Sequence, residues 1–212
     1  KDGKQIVTKT KYREDGQIEK ESIYGDDKLI SETKYTYNEN GQIEEESVYE
    51  NDKLVSNTLY AYTNVKKLLY EKRNYKNGNL DILTKYQYYE NGQIENEANF
   101  YNLYSKWTYW YENGQKWKEG NYKDGNDEYY LFDGKWIWWH ENGKKWKELH
   151  WKDDTAHGSW TYWYENGQIE KKYNFKEDKA HGKLTRWSKD GLINVTANFK
   201  NDVCLSGDCD SF

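Results

Sequence analysis

The sequence predicts an all-β protein, an elongated tandem β-hairpin repeat forming an antiparallel ribbon or solenoid of about eight units of roughly 24 residues. Three observations predict it. A turn signature recurs along the chain, two columns of aromatic residues keep phase with that turn, and Tyr and Trp stand in for an aliphatic core. Self-similarity at a fixed period is the sequence mark of a stacked repeat architecture.

The turn comes first. The segments YREDGQIEKESIY, YNENGQIEEESVY, YYENGQIENEANF, WYENGQKWKEGNY, WHENGKKWKELHW, WYENGQIEKKYNF and WSKDGLINVTANF align without gaps on Gly16, Gly41, Gly92, Gly114, Gly143, Gly167 and Gly191. An eighth unit, YTNVKKLLYEKRNY, fills the gap between Gly41 and Gly92 with one extra turn residue and no glycine, and the opening DGK reads as the tail of a further unit. Asn-Gly or Asp-Gly between runs rich in Tyr, Trp, Thr and Ile predicts a type I′ hairpin, whose two central residues both need positive φ. Between hairpins a second punctuation recurs as polar links: GDDK, ENDK, KNGN, KDGN, KDDT and KEDK. No proline interrupts the ladder of backbone hydrogen bonds. At roughly 4.8 Å between strands, two strands per unit would span on the order of 75 Å.

The strands follow from two columns. Four residues before the turn glycine stand Tyr12, Tyr37, Tyr62, Tyr88, Trp110, Trp139, Trp163 and Trp187. Eight residues after it stand Tyr24, Tyr49, Tyr75, Phe100, Tyr122, Trp151, Phe175 and Phe199. Stacked in register these form aromatic ladders, and the expectation is that they are the core, with Trp139 at its centre. Ile18, Ile43, Leu69, Ile94, Ile169 and Ile193 extend the stripe, but two units carry Lys116 and Lys145 there, followed by Trp117 and Trp146. A β-bulge and a shift of face both account for that change.

Composition sets the function classes. A mean hydropathy of -1.32 with 33% charged residues suits a disordered chain, yet 18% aromatics is what disordered segments lack. The net charge of -5, with acids and bases interleaved, argues against nucleic acid and makes a membrane-lipid partner unfavoured, since each wants a concentrated basic patch. No apolar run is long enough to span a membrane as a helix. The chain opens on Lys1 and contains no Met, which reads as a processed or trimmed chain, with secretion or the cell envelope as the expected location. Residues 1–203 read as a single repeat array and 204–212 as a C-terminal tail. In that tail Cys204 and Cys209 form a C-x4-C pair, either a small disulfide loop or two thiols; two ligands without nearby histidines make a poor zinc site.

The pattern W-x-Y-W-Y-E-N-G-Q, a charged strand ending in an aromatic, and then an A-H-G link resembles the bacterial MORN variant repeat. Its best copies are SKWTYWYENGQKWKEGNY, GKWIWWHENGKKWKELHW and KAHGKLTRWSKDG, and the likeness weakens at residues 60–75 and in the first units. The resemblance implies consecutive β-hairpins in an elongated antiparallel ribbon. It also implies a role in protein assembly or, in eukaryotic members, phospholipid contact, and bacterial variants are often labelled antitoxin-like. The repeat carries no catalytic residue to transfer.

The residues themselves offer little for catalysis. His157 and His181 sit in matching A-H-G links; metal or acid–base chemistry is one reading, and shaping the turn beside Gly158 and Gly182 is the favoured one. The Glu columns (Glu19, Glu44, Glu95, Glu170 and Glu21, Glu46, Glu97, Glu119, Glu148) read as a solvated strand face pairing with Lys across strands rather than as paired acids. No cofactor fingerprint, catalytic motif or metal set is present in the sequence.

One asymmetry remains. All 11 Trp lie between residues 107 and 187, where three units add a second aromatic set on the alternate strand face: Trp107, Tyr109, Tyr111; Trp136, Trp138, His140; Trp160, Tyr162, Tyr164. Either this half is wrapped more completely or the set is an exposed partner-binding face. The expected function is a non-catalytic binding or scaffolding protein with a protein partner. The alternative is a glycan or cell-wall binding module, since Trp- and Tyr-rich hairpins also resemble choline-binding repeats with their aromatic cages.

Overall fold

The computed structural model describes residues 5–124 and 130–210; the opening DGK, the second half of the KDGN link and the last two residues lie outside the described residues. Every regular element among them is a β-strand, and the chain divides into two compact bodies, residues 1–85 and 86–212. The N-terminal body holds β1 (Ile6–Tyr12), β2 (Ile18–Gly25), β3 (Lys28–Tyr37), β4 (Ile43–Glu50), β5 (Lys53–Tyr62), β6 (Leu69–Lys76) and β7 (Asn79–Tyr88) up to Lys85. Each of these strands pairs antiparallel with the next.

The C-terminal body starts with β8 (Ile94–Tyr101), β9 (Tyr104–Trp110), β10 (Lys116–Asp124), β11 (Tyr130–Trp139) and β12 (Lys145–Lys152). Next come β13 (Thr155–Ala156), β14 (Gly158–Trp163), β15 (Ile169–Lys176), β16 (Lys179–Ala180), β17 (Gly182–Trp187), β18 (Ile193–Lys200) and β19 (Val203–Gly207). The short pieces β13 and β16 are the starts of strands interrupted at His157 and His181, which sit before the positive-φ glycines Gly158 and Gly182. Tandem hairpins are therefore the architecture of both bodies.

The two kinds of turn exchange the roles that the sequence suggests. In the ENGQ-type turns only the glycine has positive φ; at Gly41 it is 76°. The Gly41 amide donates to the Asn38 carbonyl (3.0 Å) and the Asn38 amide to the Gln42 carbonyl (2.9 Å). That is a three-residue loop ending in a glycine bulge, not a type I′ turn. The two-residue type I′ geometry is found in the polar links, where Asp26 and Asp27 lie at φ 50° and 64°, and Asp153 and Asp154 at 49° and 61°. Asn-Gly serves either turn; the choice goes to the one whose side chains complete it. Asn166, for example, accepts the Gln168 amide at 3.0 Å and donates to the Lys189 carbonyl of the next repeat at 2.8 Å. In the glycine-free turn Lys67 takes the left-handed conformation (φ 55°), and its amide donates to the Thr63 carbonyl.

Repeats are stitched at both ends. Tyr37 and Tyr62 donate their hydroxyls to the carbonyls of Ile18 and Ile43, each at 2.9 Å. At the links, carboxylates of Asp154, Asp178 and Asp202 accept the amides of Phe132, Ala156 and Ala180 at 2.5, 2.6 and 2.7 Å. Because each tie reaches the neighbouring repeat and no further, cohesion is a nearest-neighbour property.

The aromatic columns differ from a closed core. Of the sixteen ladder residues none is fully buried, and Tyr12 is 60% exposed. A single layer of strands gives each ring only one covered side. What lies buried beneath are mostly small residues, among them Ser22, Ser47, Ala98, Ser105, Thr161 and Ala197. The rings roof the backbone rather than fill an interior.

Half-buried phenols make the fold sensitive to alkali. Burial, then a hydrogen bond to Glu21, pushes Tyr35 up to about 12, and burial pushes Tyr109 up to about 12. Tyr60 is raised by burial and by its 2.5 Å bond to Glu46. Since the folded values lie above the ordinary 10.0, these groups contribute stability that is complete below pH 10 and is lost as the pH rises through about 12. Tyrosinate absorbance should therefore rise together with unfolding over that interval. Independent titration of these tyrosines near pH 10 with the fold intact would contradict the burial.

Candidate binding face

A bulge decides which residues meet on the face in question. In every repeat whose register is defined at this point, the residue three after the turn position is skipped: Tyr37 pairs with Ile43 and Thr36 with Glu45, and Trp110 pairs with Lys116 and Tyr109 with Lys118. The substitution of Lys116 and Lys145 for isoleucine is thus no local shift, since the bulge is common to the repeats. Lys116 stays on the face of the Trp139 column, 5.6 Å from that ring and bonded to Glu119 at 2.7 Å, whereas the column of Tyr122 and Trp151 lies on the opposite face with Trp107 and Trp160. Trp117 joins the other face, edge-on to Tyr109 at 5.9 Å.

Past the bulge, register brings one row of directly paired residues across the C-terminal body: Asn96, Tyr109, Lys118, Trp138, Lys147, Tyr162, Lys171 and Arg186. From Tyr109 to Lys171, aromatic and cation alternate. Each ammonium sits between two rings: Lys118 lies 4.1 Å from Tyr109 and 4.8 Å from Trp117. Lys147 lies 4.4 Å from Trp138 and 4.6 Å from Trp146, and Lys171 lies 4.5 Å from Tyr162 and 5.7 Å from Tyr173. Each such contact stabilises by about 0.5–1 kcal/mol where exposed and more where desolvated. Burial holds Lys118 below the usual lysine range, with Lys147 adding to the effect, and burial does the same to Lys147.

Behind this row the rings form a connected layer. Phe100, Trp107, Tyr122, Phe132, Trp151, Trp160 and Phe175 touch in sequence, and Trp136 packs on Phe132, with centroids 4.7–6.2 Å apart. In the N-terminal body the face bearing Tyr24, Tyr49 and Tyr75 is built from ion pairs instead, such as Lys11–Glu19 (2.7 Å) and Lys20–Glu32 (2.6 Å). Where those repeats place a carboxylate beside a lysine, the Trp-rich repeats place an indole.

The nine residues singled out from sequence separate into three groups. Trp107, Tyr109, Trp138, Trp160 and Tyr162 are half-buried on this face. Trp136 is fully buried at 0% exposure, because Gly120 leaves room for its indole, so its ring meets no partner. Tyr111 and Tyr164 tie repeats together, donating to the carbonyls of Trp139 and Trp187 at 2.8 Å each. His140 stands where those tyrosines do, but its Nε2 is buried without a hydrogen-bond partner. Replacing His140 with Tyr should let a phenol reach the Trp163 carbonyl and raise stability by about 1 kcal/mol. Thermal denaturation checks this, and no gain would mean that the tyrosine tie contributes little.

Sequence reasoning missed Lys118, Lys147 and Lys171, although a signal existed: each lies four residues after its turn glycine. The Glu columns serve as structural partners, Glu21 accepting from Tyr35 (3.1 Å) and Glu148 from Lys145 (2.8 Å). The His157 amide donates to the His150 carbonyl and that of His181 to the Asn174 carbonyl, so both residues take part in the geometry of their links. Cys204 and Cys209 are joined in a disulfide, and residues 204–207 belong to β19, which pairs with β18. No helix among the described residues is long and apolar enough to cross a membrane.

Antiparallel hairpins stitched turn to turn, with the polar and aromatic positions recurring in each copy, define a tandem β-hairpin repeat protein. Residues 33–51, 83–102, 104–124, 132–153 and 156–177 each match the MORN repeat variant, and the chain belongs to that family. No curated protein matches it. Among solved structures, the crystal structure of TcdB2-TccC3-Cdc42 is similar over 91% of this chain at 12% identity and a TM-score of 0.37, and this chain spans only 13% of that one. A Bacteroides fragilis protein of unknown function matches over 94% of this chain and 96% of its own at 11% identity, TM-score 0.19. A porin-like protein from Bacteroides uniformis matches over 94% and 91% at 9% identity, TM-score 0.26. These likenesses are too low to carry an argument about this chain.

Proposed function

We propose that the chain is a non-catalytic binding or scaffolding module, working outside the cell or at the cell envelope, that holds a protein partner on the aromatic face of its C-terminal body. The observation behind this reading is the half-buried ring layer, which exceeds what the repeat needs: the N-terminal body builds the same hairpins with ion pairs on that face. Tyr and Trp concentrate binding energy because they bury much area at little entropic cost. The Cys204–Cys209 disulfide accords with an oxidising compartment.

A glycan or quaternary-ammonium ligand is less well served. Such ligands use open ring faces, and Tyr109, Trp138 and Tyr162 already face lysine ammonium groups. The test combines loss with capture. A photo-crosslinker at position 138 should yield a protein adduct, and the variant Trp117→Thr, Trp138→Thr, Tyr162→Thr should keep a cooperative unfolding transition but lose that partner. Glycan-array binding without any protein adduct would sink the reading.

A further inference from the structure

The row Tyr109, Lys118, Trp138, Lys147, Tyr162, Lys171 carries three ammonium groups with no ion pair among the described residues, in a protein of net charge -5; on the corresponding face of the N-terminal body Lys11 and Lys20 pair with carboxylates. Rings embrace these ammoniums but neutralise no charge. Glu170 neighbours Tyr162 and is the carboxylate at the row's end. Along the row, Lys118 to Lys147 and Lys147 to Lys171 are each two strand steps, with Trp138 and Tyr162 between them. Two strand spacings amount to roughly 9.6 Å.

An anionic polymer that satisfies all three lysines must therefore present a charge about every 9–10 Å with something flat or apolar in between. A polyproline II helix repeats every 3 residues and rises about 3.1 Å per residue, so one side chain in three faces the same way roughly every 9.3 Å. Such segments also dock on aromatic surfaces at low entropic cost. We propose that the aromatic–lysine row is the docking line for an extended acidic segment of the partner protein, in polyproline II conformation, with a carboxylate at every third residue. This rests on the binding reading above and names its partner chemistry. Carboxylates meet Lys118, Lys147 and Lys171, and the intervening residues pass along the uncovered edges of the half-buried Tyr109, Trp138 and Tyr162, whose faces the lysines occupy.

Fluorescence anisotropy of labelled peptides with the full chain tests it. A (Glu-Pro-Pro) repeat peptide should bind and weaken with added salt, whereas a (Lys-Pro-Pro) peptide should not, and a (Glu-Pro-Pro-Pro) peptide of equal charge should bind several-fold less tightly. The variant K118Q/K147Q/K171Q should weaken binding by about tenfold, roughly 1.4 kcal/mol in all. The charge-retaining K118R/K147R/K171R should restore most of it, and K28Q/K53Q/K76Q in the N-terminal body should change nothing. Indifference to the three-residue period, equal loss in the N-terminal variant, or preference for polygalacturonate over every acidic peptide would overturn the proposal. If no peptide binds while the crosslinker at position 138 still captures a protein, the docking line falls and the broader binding reading survives.

Discussion

Trp136→Ala is expected to destabilise the C-terminal body by about 3–5 kcal/mol, the cost of removing a large buried ring together with the cavity it leaves. Trp136 is the one large side chain with no exposure among the described residues. Its ring lies 4.7 Å from Phe132, 4.8 Å from Tyr122 and 5.7 Å from Trp138, and its Nε1 donates to the Asn121 carbonyl at 2.8 Å. Truncation forfeits three ring contacts and leaves a covered carbonyl without its donor. The ladder ring Trp139, central by sequence, is only half-buried, so Trp139→Ala should cost clearly less. Denaturant unfolding followed by tryptophan fluorescence gives the magnitude. Hydrogen exchange gives the place: protection should fall first in β9 to β12, because contacts link neighbouring repeats only. A loss below about 1 kcal/mol would mean that the ring layer is a surface coating.

The difference between these two tryptophans shows what the sequence makes legible. Repeat length, hairpin order and the phase of the aromatic columns are local facts, readable from the spacing around Gly41 or Gly143. Degree of burial is not local. Trp136 sinks because Gly120, sixteen residues earlier and on the neighbouring strand where the register is interrupted, has no side chain to oppose it, a juxtaposition that only the folded sheet reveals. The turn types escaped for a related reason. Asn-Gly is compatible with type I′, but in these turns Asn113 and Asn166 use their amides to reach Glu141 and Lys189 in the next repeat, which fixes the three-residue loop instead.

The lysine row was hidden by the bulge. Simple alternation from the turn would put Lys118 on the same face as Lys116; the skipped Trp117 keeps Lys116 on the face of the Trp139 column and sets Lys118 opposite Tyr109 and Trp138. The asymmetry in Trp content was readable, and so was the suspicion of a second aromatic face. Its division into a buried ring, half-buried rings and tethering tyrosines was not, because that division depends on which carbonyl or glycine the neighbouring repeat offers.

Gly120→Leu tests the same cluster from below. Unlike the turn glycines, Gly120 does not have a positive φ, so a side chain meets no backbone strain there. It meets the indole: a Cβ at this position would overlap the Trp136 ring. Corresponding positions in other repeats carry Ser47, Ala98 and Leu149, all buried, so the hairpin itself accepts larger residues. Gly120→Leu should therefore destabilise by about 1–3 kcal/mol through overpacking alone. In the double variant Gly120→Leu, Trp136→Ala, the leucine enters the space vacated by the indole. The loss should then fall short of the sum of the single losses by about 1–3 kcal/mol, the coupling expected of side chains in direct contact. Additive losses in denaturant unfolding would show that Gly120 is small for some reason other than Trp136. Near-additivity would also remove the explanation given for Trp136 lying buried while Trp138, two residues on, stays half-open to a partner.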